Sequence, residues 1–258
     1  MRRRGTRVGY CRQNADVSHG DANSSNNSTE IRAAVPAPSR WIAPHGTPRA
    51  ALLLLHGLDM TPAQLAPLLE SLKLPAWVAV PAGPVERPGG HRAWWPVDDA
   101  AREARLDAGP SDLRDSHPSG RDVARAAVHA VARELRARTP GLPLVLAGFS
   151  QGAMLALDVV LQSPPLGVDA LALWSGSRLA FSEWAPLLHR LKGVPVQLVH
   201  GRSDMNLALD AGAALRDALL AEGADVRWSP FDGGHEIPLQ AWVGLRRLVR
   251  DVELVRRS

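Results

Sequence analysis

The sequence predicts an α/β protein built on a mainly parallel, doubly wound sheet with helices on both faces. Three observations carry this expectation. Short apolar runs alternate along the chain with longer segments of helical period. Several runs, such as Ala51-Leu52-Leu53-Leu54-Leu55, are apolar throughout, as strands covered on both faces must be. Polar residues and glycines collect just after the runs, at the carboxyl ends where open sheets of this kind place their sites. At 258 residues and 45% hydrophobic composition, the chain has enough apolar material for one substantial core.

Residues 1–38 belong to a different regime. Arg2-Arg3-Arg4 and the stretch Asn23-Ser24-Ser25-Asn26-Asn27-Ser28 offer nothing that forms a core, so the segment is expected to be a disordered tail preceding a single domain over 39–258. Arg40-Trp41-Ile42-Ala43 reads as a short edge strand. The buried run 51–55 ends in His56-Gly57-Leu58-Asp59-Met60, and Thr61-Pro62 opens a helix over 61–72. A strand near 76–80 follows, then Gly89-Gly90-His91-Arg92-Ala93-Trp94-Trp95. Asp98 to Gly120, charged and punctuated by Pro and Gly, is too polar for core and is expected to form a lid or pocket wall. Beyond it come a helix over 121–138, a strand over 143–147, a helix over 151–162, strands over 169–174 and 194–199, a helix over 207–222, a strand over 225–231 and a helix over 237–252.

The chemistry centres on Gly148-Phe149-Ser150-Gln151-Gly152, set between an apolar run and a helical stretch. A G-x-S-x-G taken alone is a weak motif, but in a strand–turn–helix setting the flanking glycines have a reason. The turn is so sharp that larger side chains there would collide. Serine is a poor nucleophile unaided and needs a base with an orienting carboxylate. His200-Gly201-Arg202-Ser203-Asp204 and Asp232-Gly233-Gly234-His235-Glu236 supply both just beyond strands. Asp204 alone would suit a turn or a helix cap, and His235 is one of nine histidines. Their joint order, Ser150 then Asp204 then His235, is that of an α/β-hydrolase. The backbone amides of Leu58 and Gln151 are the expected oxyanion-hole donors, with His56 packing or orienting the loop. Trp94 and Trp95 are candidate substrate-binding residues, with one expected to line an acyl pocket and the other to pack beneath. His91 and His117 fit neither the chain order nor a strand end and read as surface loop residues.

These motifs, together with Leu55-His56-Gly57-Leu58-Asp59, Gly233-Gly234-His235-Glu236-Ile237-Pro238, Arg92-Ala93-Trp94 and Trp174-Ser175-Gly176, resemble the phospholipase/carboxylesterase family, which includes acyl-protein thioesterases and small bacterial carboxylesterases. The resemblance spans about residues 40 to 250. It implies hydrolysis of esters or thioesters by a serine triad without metal or other cofactor. Two positions depart from the family pattern. Met205-Asn206-Leu207 stands where a Val-Pro pair is usual, and Met205 is therefore expected to help shape the substrate pocket. Asp59 stands where the first loop commonly continues with Gly, a place where positive φ is harder to adopt.

Charge excludes little: Lys and Arg together number 30 against 26 acidic residues. Arg246, Arg247, Arg250, Arg256 and Arg257 suit a solvated helix face, and no nucleic-acid reading motif accompanies them. No apolar run approaches the ~20 residues that span a bilayer, and no apolar segment follows the basic start as in a signal peptide. The expectation is a cytoplasmic protein without stable membrane insertion, or one whose true start lies downstream of Met1. Cys11 is the sole cysteine, which excludes an intrachain disulfide and a Cys-based metal site. The expected partner is a small-molecule ester or thioester. The alternatives are a lysophospholipase or peptidase on the same fold, or a hydrolase-like binding module, which would require a missing triad member. The sequence sets no oligomeric state.

Overall fold

The structure, a computed structural model, describes residues 39–255. The tail expected to be disordered lies outside the described residues. Strands β1 (Arg40–Ile42), β2 (Ala50–Leu55), β3 (Ala76–Val80), β6 (Leu144–Phe149), β7 (Ala170–Trp174), β8 (Pro195–Gly201) and β9 (Asp225–Phe231) form one sheet. Its order is β1-β3-β2-β6-β7-β8-β9, parallel throughout except for β1, which runs antiparallel to β3. A two-stranded ribbon, β4 (Val85–Glu86) with β5 (Arg92–Ala93), stands apart from it. The helices are α1 (Pro62–Ser71), α2 (Asp99–Asp107), α3 (Arg121–Arg138), α4 (Gln151–Leu161), α5 (Phe181–Trp184), α6 (Leu209–Ala221) and α7 (Leu239–Val255), with a 3₁₀ stretch Ala185–Leu191 continuing α5.

The two faces of the sheet follow from the period-two geometry of a strand. Along β2, Leu52 and Leu54 turn to the side where Leu65 and Leu69 of α1 and Trp242 and Leu245 of α7 pack. Leu53 and Leu55 turn to the other, against Val128 and Leu135 of α3 and Leu155 and Leu157 of α4. Each such leucine contributes roughly 2 kcal/mol on burial, so the continuous apolar runs account for the sheet's position at the centre. All eleven residues of α4 are buried.

Helix α2 was not expected as a helix. None of its residues is buried, so the 3.6-residue apolar stripe by which a helix is recognised in sequence is missing. It forms instead on a local cap, the Asp98 carboxylate accepting from the Ala101 N–H at 3.0 Å. The α5 turn and its 3₁₀ extension were likewise unread. Helix α6 begins at Leu209 rather than 207, because the amide of Leu207 is taken by Asp204.

Asp158, the one charged residue of α4, is fully buried. Its Oδ1 accepts from Trp184 Nε1 at 2.7 Å and from Arg121 Nη1 at 3.2 Å, and its Oδ2 accepts from Arg125 Nη1 at 2.7 Å. Arg121 Nη2 also donates to both oxygens of Glu183, whose Oε1 lies 2.8 Å from His117 Nδ1. The network joins α3, α4 and α5 through groups that would be costly to leave unpaired. Asp158→Ala strands the partly buried Arg125 guanidinium and the Trp184 indole N–H and leaves Arg121 with Glu183 alone, and is expected to lower the unfolding free energy in urea by about 3–5 kcal/mol. Asp158→Asn, which keeps an acceptor for Trp184, is expected to lose less.

Candidate active site

The turn from β6 to α4 holds Ser150 at φ 54° and ψ −117°, a left-handed backbone that serine adopts only under constraint. Its N–H donates to the Trp174 carbonyl at 2.8 Å, anchoring the turn to the end of β7. A Cβ at Gly148 would overlap the Gly152 carbonyl, and one at Gly152 would overlap the carbonyls of Leu55 and His56. Gly148 is thus required by the return of α4 over the end of β6, and Gly152 by the close approach of α4 to the end of β2.

Asp204 and His235 reach the serine from loops after β8 and β9. Two backbone bonds fasten those loops together, Arg202 N–H to the Phe231 carbonyl at 2.8 Å and Ser203 N–H to the Gly233 carbonyl at 2.9 Å. His235 Nδ1 lies 2.7 Å from Asp204 Oδ2 and its Nε2 lies 2.8 Å from Ser150 Oγ. The other carboxylate oxygen accepts from the amides of Asn206 and Leu207 at 2.8 and 2.9 Å. Burial opposes ionisation of Asp204. The bond from His235, its charge and the two amides outweigh it, so the carboxyl titrates below its ordinary range. With Asp204 ionised, the imidazole proton belongs on Nδ1, leaving Nε2 to accept the Ser150 hydroxyl hydrogen. The imidazole also packs on Phe149, ring centres 5.1 Å apart.

The loop after β2 is held from several sides. His56 is fully buried, its Nδ1 donating to the Gly57 carbonyl at 2.7 Å and its Nε2 accepting from the Gly83 N–H at 2.9 Å. Burial is the main cause that pushes its pKa down to about 4, with the Gly57 carbonyl opposing, so the ring is neutral at pH 7. Asp59 N–H donates to the Arg92 carbonyl at 3.0 Å and Arg92 N–H to the Met60 carbonyl at 3.1 Å. Asp59 adopts φ 56°, the conformation the family's glycine would favour, and its carboxylate accepts from Arg87 Nε at 2.7 Å. Arg87 continues to Asp99 at 2.6 Å, tying this loop to α2. The Leu58 and Gln151 N–H groups donate to no backbone carbonyl among the described residues, and both residues line one cavity with Ser150 and His235.

That cavity measures about 550 Å³, and Trp95, Leu106, Leu113, Met154 and Leu179 give it apolar walls. Trp95 lines it, whereas Trp94 does not. Trp94 is fully buried, stacks on His56 at 4.9 Å and donates from Nε1 to the His56 carbonyl at 2.8 Å, which makes it a support of the first loop rather than a substrate contact. Met205 is also misplaced by the sequence reading. The bonds from Asn206 and Leu207 to Asp204 curl the chain so that Met205 is 64% exposed and outside the cavity, whose wall is made by Asn206 and Leu207 instead. His117, expected only on a loop, also lines the cavity. The Gln151 side chain, buried and accepting from the Trp94 N–H at 2.8 Å, is a brace that the motif gave no sign of. Among the described residues no group of three or more His, Cys, Asp or Glu is arranged to hold a metal, and no helix is long and apolar enough to cross a membrane.

Residues 37–246 match the family model described as Phospholipase/Carboxylesterase. The acyl-protein thioesterase 1 of Neurospora crassa is 27% identical over 113 residues, which cover 43% of this chain and 46% of that protein. The match thus spans about half the length of that curated relative. Among solved structures, esterase PE8 superposes with a TM-score of 0.67 at 25% identity, covering 84% of this chain and 98% of the esterase. Acyl-protein thioesterase 2 of Zea mays gives a TM-score of 0.62 at 23% identity over 84% of this chain and 99% of its own. TT1662 of Thermus thermophilus gives 0.63 at 23% identity, over 83% and 93%.

The buried His56 has a consequence for pH dependence. An unfolded chain takes up the imidazole proton near pH 6.5, but the folded chain resists until about pH 4. The unfolded state therefore binds more protons in that window, and stability falls as pH falls through it, by up to about 3 kcal/mol from this group. Burial lowers the pKa of His200 in the same direction. Urea unfolding between pH 7 and 4 is expected to show this slope, and His56→Gln to make it shallower.

Proposed function

The chain belongs to the phospholipase/carboxylesterase family, and on that footing we propose that it is a serine hydrolase of carboxylic esters or thioesters, acting through Ser150, His235 and Asp204 and an acyl-enzyme intermediate. The observation that carries this reading is the unbroken hydrogen-bond relay from Asp204 through His235 to the Ser150 hydroxyl at the wall of an apolar cavity.

In the first half-reaction His235 Nε2 takes the proton from Ser150 Oγ as the oxygen attacks the carbonyl carbon. Charge that develops on the carbonyl oxygen is met by the amides of Leu58 and Gln151. Preorganised donors of this kind are worth about 3 kcal/mol each in the transition state. His235 then protonates the departing alcohol or thiol. In the second half-reaction it deprotonates a water that attacks the acyl-serine, and its proton returns to Ser150 as the acid leaves. Asp204 keeps the imidazole in the working tautomer and stabilises the imidazolium as it forms. Trp95 and the apolar wall hold the substrate's hydrocarbon. No metal or other cofactor enters any step. The same reading takes residues 39–258 as one domain of a cytoplasmic enzyme with small-molecule substrates and no nucleic-acid partner.

Ser150→Ala is expected to lower kcat for a short-chain p-nitrophenyl ester by about 10⁶-fold, with the far-ultraviolet circular dichroism unchanged. Asp204→Asn, which leaves the imidazole in the wrong tautomer, is expected to cost about 10⁴-fold. A fluorophosphonate probe should label the native chain on a peptide containing Ser150 and leave Ser150→Ala unlabelled. Retained turnover or labelling in Ser150→Ala refutes the assignment.

A further inference from the structure

Arginines that are partly buried in this protein are paired almost everywhere. Arg87 has Asp59 and Asp99, Arg121 has Asp158 and Glu183, Arg125 has Asp158, and Arg178 has Asp112. Arg136 rests on the Gly167 carbonyl away from the cavity, and inside the cavity Arg102 and Arg105 break the pattern. Both are half-buried, both line the cavity that holds Ser150, and neither meets a carboxylate within 4.0 Å among the described residues. They stand three residues apart on α2, so they share a face and repel one another.

Arg105 is also held in place. Its Nη1 donates to Ser111 Oγ at 2.8 Å and to the Asn206 carbonyl at 3.4 Å. Ser111 is itself fixed by backbone bonds, its N–H to the Asn206 carbonyl at 3.4 Å and its carbonyl to the Ala208 N–H at 3.0 Å. These acceptors orient the guanidinium without neutralising it. Burial, and then the charge of Arg102, push the Arg105 pKa down, the mark of a cation short of a counter-charge.

The remaining ionisable groups on the cavity wall do not supply that counter-charge. Asp98 is engaged with the Ala101 N–H at the start of α2, and His117 faces Glu183. His235 is committed to Ser150 and Asp204. The wall thus carries two guanidiniums against the single carboxylate of Asp98, which pairs with neither of them within 4.0 Å among the described residues, while Leu106, Leu113, Met154 and Leu179 keep the rest apolar.

The geometry points to Arg102 and Arg105 as the recognition site for an anionic group, a carboxylate or a phosphate, carried by the ester that Ser150 attacks and separated from the scissile carbonyl by an apolar stretch; this rests on the serine-hydrolase reading above. A planar guanidinium offers paired donors to such oxyanions, and an incoming anion relieves the repulsion between the two cations. Selection acts in binding, so it should appear in KM.

Two matched substrate pairs test this with the full chain. One pair compares the p-nitrophenyl monoester of suberic acid with its methyl-capped neutral counterpart, placing the charge on the acyl side. The other compares 1-hexanoylglycerol 3-phosphate with 1-hexanoylglycerol, placing it on the leaving-group side. The native protein is expected to favour the anionic member of at least one pair by about tenfold or more in kcat/KM, carried mainly by KM. The pair that shows it identifies which side of the ester bears the charge. The preference should shrink with added salt and fall toward unity in Arg102→Gln and Arg105→Gln, with Arg105→Lys keeping part of it. Arg102 makes no side-chain hydrogen bond among the described residues and has only a longer-range attraction to Asp99 to lose, and the native comparison decides the matter even where a variant folds poorly. Turnover of both neutral esters with no preference for either anionic one overturns the recognition site and leaves the hydrolase reading intact. A preference that survives in both glutamine variants overturns it as well. No turnover of any of the four, with no fluorophosphonate labelling, overturns the hydrolase reading and this inference with it.

Discussion

The approach of α4 to the end of β2 sets the terms for the rest of the site. Gly152 lies so near the carbonyls of Leu55 and His56 that no side chain fits between them, and this contact brings the Ser150 turn alongside the loop that carries Leu58. Because the turn is that tight, the serine backbone is driven into positive φ and its side chain projects from the sheet instead of joining the helix. The His56 carbonyl beside Gly152 also receives the Trp94 indole, so the first loop, the residue after the ribbon strand β5 and the Ser150 turn share one small set of backbone oxygens. A displacement at any of them moves two amides and a hydroxyl together.

Electrostatics in the site are divided between groups kept neutral and groups kept charged. His56 and His200 lose charge through burial and serve as geometry, each ring fixed to a backbone carbonyl. Asp204 keeps its charge despite burial because two amides and an imidazole surround it. In a medium of low dielectric this division matters. A stray positive charge at His200, 3.5 Å from Asp204, would compete with His235 for the same carboxylate. Suppressing it leaves one imidazole for the carboxylate to orient.

Legibility in the sequence tracked burial. Strands β2, β6 and β7, apolar at every position, were readable because a strand covered on both faces has no other composition available. Ser150 was readable as a candidate because it follows such a strand directly, whereas Asp204 and His235 follow β8 and β9, which carry polar residues, and were readable by their order along the chain and the glycines beside them. Helix α2 left no trace, since it is held by a cap and by ion pairs rather than by an apolar stripe. Which of Trp94 and Trp95 packs beneath, and that Met205 points outward, were not legible for a related reason. Which of two adjacent tryptophans faces a cavity, and whether a residue in a turn points in or out, depends on hydrogen bonds to partners far away in the chain, such as Gln151 to Trp94 across 57 positions. Asp59 was legible as a departure, but its partner Arg87 was not, because nothing in sequence spacing couples an acid to a base in another loop.

The attachment of α2 gives the fold a modular character. The core lies on the far side of the cavity from a nine-residue helix that has no fully buried residue and is tethered by Arg87 and a few bonds to the Ser111 turn. Sequence drift in that helix meets little resistance from packing, while drift in α4 meets it at every residue. Lineages sharing this scaffold are therefore free to exchange the outer wall of the cavity quickly while the inner wall, with its serine, changes slowly. Substrate range and chemistry are separable heritable traits in such a chain, one written on the surface and the other in the interior.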